Sequence, residues 1–192
     1  METVIKKDQF REMPWKNGLG STQEIDIVPS HTDFTKGEFQ WRLSSAVIKT
    51  ANTFSPFPGY DRLLIVLSGQ GLKLNGSILS PLSVHAFSGE DEVECTLVEG
   101  DVVDMGIIYK RDQYRCDMQV ITVNQNTKLF FGDGVHYIKG ISEGITIDGI
   151  RLNAEEVLKI EGSEIAEIEI VDSPKQILKI SVHLKKDAAK KV

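Results

Sequence analysis

The chain has 192 residues, 41% of them hydrophobic and 26% charged, with a formal net charge of −6 and a pI near 5.3. This is ordinary globular composition, with enough chain for one large domain or two small ones. It lacks the clustered positive charge that a broad nucleic-acid surface needs, so no nucleic-acid partner is expected.

The chain opens with a turn, Pro14-Trp15-Lys16-Asn17-Gly18, in which Asn17-Gly18 favours a tight bend with φ > 0. Glu24 follows on a predicted strand with Ile25 and Ile27. The run from Phe39 to Ile48 alternates: Phe39, Trp41, Leu43, Ser45 and Val47 share one face, and Gln40, Arg42, Ser44, Ala46 and Ile48 the other. Phe54-Ser-Pro-Phe-Pro-Gly-Tyr-Asp-Arg62 is a loop stiffened by Pro56 and Pro58 that delivers Asp61 and Arg62 to the apolar strand Leu63 to Leu67. Gly69-Gln70-Gly71 reads as a barrel hairpin turn, and Asn75-Gly76 within Leu72–Leu79 is the strongest short hairpin signal. Glu92 to Val98 and Val102 to Tyr109 read as further strands.

Near Arg111 to Tyr114 the composition shifts. The first half is rich in glycine, proline and aromatics; the second alternates Ile, Val, Lys and Glu. Strands are predicted at Met118–Val123, Lys128–Phe131, Val135–Ile138, Gly144–Gly149 and Gln176–Leu184, with turns at Asp133-Gly134 and Asp148-Gly149. Asn153 to Lys159 reads as one or two helical turns with Asn153 as N-cap. Lys185, Lys186, Lys190 and Lys191 read as a solvated tail. No long amphipathic helix is visible, and many short strands argue for a β-sandwich or barrel. Cys95 and Cys116 form neither a disulfide framework nor a CxxC, as expected of reduced cytoplasmic thiols. The first ten residues carry no apolar signal segment, and Leu63–Leu67 is far short of the roughly 20 residues that span a bilayer, so no membrane association is expected.

Four stretches taken together resemble the HutD/Ves family of small bicupins: Pro14 to Ile25, Phe39 to Ala46, Phe54 to Arg62 and Gly100 to Arg111. The resemblance covers about the first 115 residues in order. It implies an all-β fold of two cupin-like, jelly-roll barrels, with residues 1–112 as a pocket-bearing first barrel and 113–192 as a more structural second one, strands being open to exchange between the halves. It also implies a link to bacterial histidine degradation, through regulatory binding of an intermediate such as formylglutamate or urocanate. Three positions depart from the family pattern. Leu19 stands where a third glycine is usual, Gly106 where Asn is common, and Lys110-Arg111 where two arginines are common.

The residues support binding better than catalysis. His31, His85, His136 and His183 make no HxH or other ligand spacing, so neither a metal nor another cofactor is expected. No nucleophile elbow, P-loop or dinucleotide fingerprint occurs, and no catalytic residue is assigned. The proposed ligand set is Arg62 and Arg42 for a carboxylate, with Lys16, Asn17, Trp15, Ser44, Asp61 and His85 around it. Arg42 and Trp41 cannot both face the interior, and the sequence leaves open which one does. It leaves open equally whether Asp61-Arg62 or Asp104-Arg111 are ion pairs that only brace loops. The alternatives to a carboxylate-binding protein are a metal-independent isomerase or hydrolase using His85 with Asp61 or Asp104, and a ligand-free interaction module. A homodimer through a sheet edge is expected by analogy only.

Overall fold

The computed structural model describes residues 1–15 and 20–186. The turn residues Lys16, Asn17, Gly18 and Leu19, and the tail from 187 on, lie outside the described residues. Nineteen strands run through the described residues, with two short 3₁₀ turns and no α-helix, so no helix there is long and apolar enough to cross a membrane. The chain is a bicupin: two jelly-roll units, each of two sheets.

In chain order the strands are β1 (Glu2–Ile5), β2 (Arg11–Pro14), β3 (Ser21–Val28), β4 (Trp41–Ile48), β5 (Asn52–Thr53), β6 (Tyr60–Ser68), β7 (Leu72–Leu74), β8 (Ser77–Leu79), β9 (Val84–Ser88), β10 (Glu94–Leu97) and β11 (Val102–Lys110). Then follow β12 (Tyr114–Val123), β13 (Thr127–Phe131), β14 (Val135–Gly140), β15 (Ile145–Ile147), β16 (Ile150–Leu152), β17 (Val157–Glu161), β18 (Glu164–Ile170) and β19 (Lys175–Leu184).

Phe10–Tyr114 form one unit. Its large sheet is ordered β2-β3-β4-β11-β6-β9 and its small sheet β5-β10-β7-β8. Between the sheets lies an apolar core that includes Ile48, Leu64, Val66, Leu72, Leu74, Leu79, Cys95 and Val102. The Asn75-Gly76 hairpin forms as predicted, with both residues at positive φ, the I′ signature. Gly69-Gln70-Gly71 is not a hairpin turn. It carries the chain from β6 in one sheet to β7 in the other, at φ 100° and 111°. A side chain at Gly69 would meet the Asp101 carbonyl at 2.6 Å, which is why glycine is needed there.

The other unit joins Met1–Gln9 to the chain from Arg115 onward, with sheets β1-β17-β14-β19-β12 and β13-β18-β15-β16. Its core is built from Val123, Phe131, Ile138, Ile145, Ile147, Leu152, Leu158, Ile160, Ala166, Ile168 and Ile177. The helical turn predicted at Asn153–Lys159 is a tight turn leading into β17: the Glu156 amide donates to the Asn153 carbonyl at 3.1 Å, and Val157 starts the strand. Burial overrides the local helix signal here. Val157, Leu158 and Ile160 are all buried, each contributing roughly 1.5–3 kcal/mol of apolar transfer, and β17 gains ladder partners on both sides in β1 and β14.

Candidate binding site: a cavity in the Phe10–Tyr114 unit

The register of the large sheet sets one face of β4, β11 and β6 into rows. Ile108 lies opposite Arg42 on one side and Arg62 on the other. Gly106 likewise lies between Ser44 and Leu64, and Asp104 lies beside Ala46. On the outer strands, Phe87 of β9 continues the Arg62 row, and Glu24 of β3 continues the Ser44 row. A bulge between Glu24 and Asp26 resets the alternation of β3, so that Glu24 and the following Ile25 are both buried.

These rows floor a cavity of about 530 Å³ whose remaining walls are Met13, Pro14, Trp15, Phe34 and the loop Asn52–Phe57. Such a volume suits a small metabolite. The question of Arg42 versus Trp41 is thereby decided. Arg42 lines the cavity, while Trp41 packs on the other face against Tyr114, ring centroids 5.1 Å apart.

The two arginines differ in their partners. Arg42, 5% exposed, donates through Nε to Glu24 Oε2 at 2.7 Å and lies over the Phe34 ring at 4.5 Å. Arg62, 8% exposed, is sandwiched between Phe57 and Phe87 at 4.8 and 5.5 Å and donates through Nη2 to the Ser55 carbonyl. Among the described residues no carboxylate pairs with Arg62, and its buried Nε has no hydrogen-bond partner. Burial, and then the charge of Arg42, push its pKa down to about 10, so it remains a cation at neutral pH. A guanidinium desolvated between rings, with donors unspent, has its strongest interaction still to make.

Asp104 lies at the far end of the same face, four residues along β11 from Ile108, which is roughly 13 Å of strand. Its Oδ1 accepts from the Ala46 amide at 2.8 Å, but burial outweighs that bond and raises its pKa to about 7. Gly106 between the two ends leaves the floor open. A Cβ there would stand 3.2 Å from the Leu63 carbonyl and 3.3 Å from Leu64 Cδ1.

Of the residues expected at the site, Arg62, Arg42, Trp15 and Ser44 line one cavity. Trp15 is held by its Nε1 donating to Thr22 Oγ1 at 2.9 Å, and Gly20 leaves room for its ring, since a Cβ there would meet it at 3.0 Å. Lys16 and Asn17 lie outside the described residues. Asp61 and His85 are not on the cavity wall. His85 is on β9 with its ring 5.7 Å from Phe87. Asp61 alternates away from Arg62 and meets Arg111 Nε at 3.2 Å.

The bracing pair is therefore neither Asp61-Arg62 nor Asp104-Arg111. Arg111 also donates to the Tyr60 carbonyl at 2.7 Å and to Glu90, whose pKa falls to about 2 through bonds from Ser88, the Gly59 amide and Arg111. This cluster ties the proline loop to the turn after β9. There Phe57 and Gly89 bond at 2.7 Å, and a side chain at Gly89 would collide with the Phe57 carbonyl. The expected ligand set lacks Gly106, Phe54, Phe57 and Phe87, and Asp104 enters the sequence reading only as a catalytic alternative or a bracing group. Alternation along Val102–Tyr109 carried the signal for Asp104 and Gly106.

Among the described residues no group of three or more His, Cys, Asp or Glu side chains converges as a metal site. Cys95 is buried in the core, which raises its thiol pKa to about 11 and leaves it unreactive.

The HutD family model matches residues 7–178. A protein named "Uncharacterized 21.2 kDa protein in hutC 3'region" of Pseudomonas putida is 33% identical over 174 residues, which cover 84% of this chain and 87% of that one. Protein Ves of Escherichia fergusonii is 33% identical over 141 residues, 69% of this chain and 72% of its own. Among solved structures, HutD from Pseudomonas fluorescens SBW25 in a formate condition superposes with a TM-score of 0.79 at 28% identity, covering 96% of this chain and all (100%) of that one.

Proposed function

The chain belongs to the HutD/Ves family, and from that premise we propose that it binds a small carboxylate metabolite in the Phe10–Tyr114 cavity and acts as a sensor rather than a catalyst. One observation carries the reading. Arg62 is a buried cation with no carboxylate partner among the described residues, facing a cavity whose other arginine is already neutralised by Glu24. A ligand carboxylate supplies the missing charge and accepts from Nε and the remaining Nη donors. The aromatic walls take an apolar or planar ligand body, and Asp104, its pKa raised to about 7 by burial, offers a donor at the opposite end when protonated.

Formylglutamate and urocanate are the ligands we propose, with a regulatory role in histidine utilisation, and the hutC setting of the P. putida relative and the HutD name of the P. fluorescens structure support this reading. The binding is tested by calorimetric titration of formylglutamate, urocanate and glutamate into the protein and into an Arg62→Gln variant. The regulatory role is tested by histidine-dependent expression in cells with and without the gene.

A metal-independent isomerase or hydrolase is favoured by one observation alone: a cavity carboxyl, Asp104, poised near neutrality for proton transfer. The partners that this reading expects, His85 and Asp61, are off the wall.

A further inference from the structure

The other unit has a polar end of its own. Alternation along β19 places Lys179, Ser181 and His183 on the face of the core residue Ile177. On β14 His136 shares the face of Ile138, and on β12 Asp117 and Gln119 share that of Ile121 and Val123. These faces are therefore apolar at one end and polar at the other, and the polar end, where Asp117 is 69% exposed and His183 only 18%, lines an open cavity of about 350 Å³.

The hydrogen bonds fix what each group offers. His136, 1% exposed, is used up internally: Nε2–H donates to the Gly132 carbonyl at 2.8 Å, and Nδ1 accepts from Ser181 Oγ at 2.9 Å. His183 Nδ1–H donates to the Asp133 carbonyl at 2.7 Å, so the neutral ring turns a lone pair outward at Nε2. That nitrogen lies 4.0 Å from Asp117 Oδ2. A single ammonium bonded to both at about 2.9 Å would see them close to 90° apart, a workable angle for two N–H donors. Lys179 supplies the opposite charge. Its ammonium lies 5.1 Å from the Phe131 ring centroid, and no carboxylate pairs with it among the described residues. A lysine facing the same space disfavours a metal cation there, and His136 has no nitrogen left to ligate one.

We propose that this cavity is a second ligand site, taking a small zwitterion of amino-acid type. Its carboxylate bonds to Lys179, and its ammonium is shared by Asp117 and His183 Nε2. The site is independent of Arg62 and of any ligand in the first unit.

Chemical-shift mapping of the ¹⁵N-labelled full chain tests it, with each of the twenty standard amino acids titrated alongside acetate and methylamine as half-ligands. The expected result is that at least one amino acid shifts amides of β12, β14 and β19, whereas neither half-ligand does so at the same concentration. Lys179→Met and Asp117→Asn weaken that binding roughly tenfold or more, and Arg62→Gln leaves it unchanged. Shifts confined to β4, β6 and β11, shifts reproduced by acetate or methylamine alone, or no shift with any of the twenty would each overturn the proposal. The wild-type map decides even if a variant fails to fold.

Discussion

Arg42 and Arg62 flank Ile108 in one register row, face the same cavity and are almost equally buried, yet among the described residues only Arg42 has a carboxylate against it. The same residue type thus plays two parts. Arg42 with Glu24 is a closed internal pair, and Arg62 is a buried cation with its Nε unbonded. Their substitutions should differ in sign. Arg42→Met strands Glu24 in the interior, with only Arg11 at 3.9 Å, and should cost on the order of 3 kcal/mol in urea unfolding. Arg62→Met removes a desolvated, unpaired charge and should leave stability unchanged or raised while abolishing carboxylate binding. A loss of stability as large as that of Arg42→Met would mean that Arg62 is a structural residue.

Asp104 should give the fold a pH dependence of unusual sign. Its pKa rises from about 4 in the unfolded chain to about 7 in the fold, so between those values the folded state holds a proton that the unfolded chain has released. Stability contributed by this group is full below pH 4, falls as pH rises to 7, and is absent above. The window is worth on the order of 4 kcal/mol. Asp104→Asn keeps an acceptor for the Ala46 amide and should flatten unfolding free energies measured at pH 5 and pH 8. Anion affinity should fall over the same rise in pH, because ionised Asp104 repels a carboxylate in its own cavity.

The fold was largely legible in the sequence, because alternation and the Asn75-Gly76 and Asp148-Gly149 turns are local signals that the ladders then use. The face of Arg42 was not legible. Trp41 and Arg42 are both buried, and only the register of β4 against β11 shows which one meets the cavity. Asp61 was misread for a related reason: its partner Arg111 is fifty residues away, and strand pairing alone brings them together. The Asn153–Lys159 turn was misread because capping chemistry at Asn153 suits a turn as well as a helix start.

Gly106 should set ligand size. Gly106→Leu places a branched side chain on the cavity floor where neighbours already stand 3.2–3.3 Å from a bare Cβ. Binding should weaken by tenfold or more in calorimetry, with the thermal midpoint lowered only modestly. Unchanged affinity would place the ligand away from this floor.

Asp61 should matter to the loop and not to the ligand. Asp61→Ala removes one arm of the partly exposed Arg111 cluster, where ion pairs contribute little. Carboxylate affinity should stay within about twofold of wild type, less than a single charge-assisted bond is worth. A tenfold loss would return Asp61 to the binding site.

The most direct measurement is a crystal structure of the full chain soaked with formylglutamate or urocanate, paired with calorimetry on wild type and Arg62→Gln. The expected result is the ligand carboxylate on the Arg62 guanidinium between Phe57 and Phe87, with binding lost in the variant. An empty cavity with no heat from either ligand or from glutamate, or a ligand bound equally well without Arg62, would contradict it.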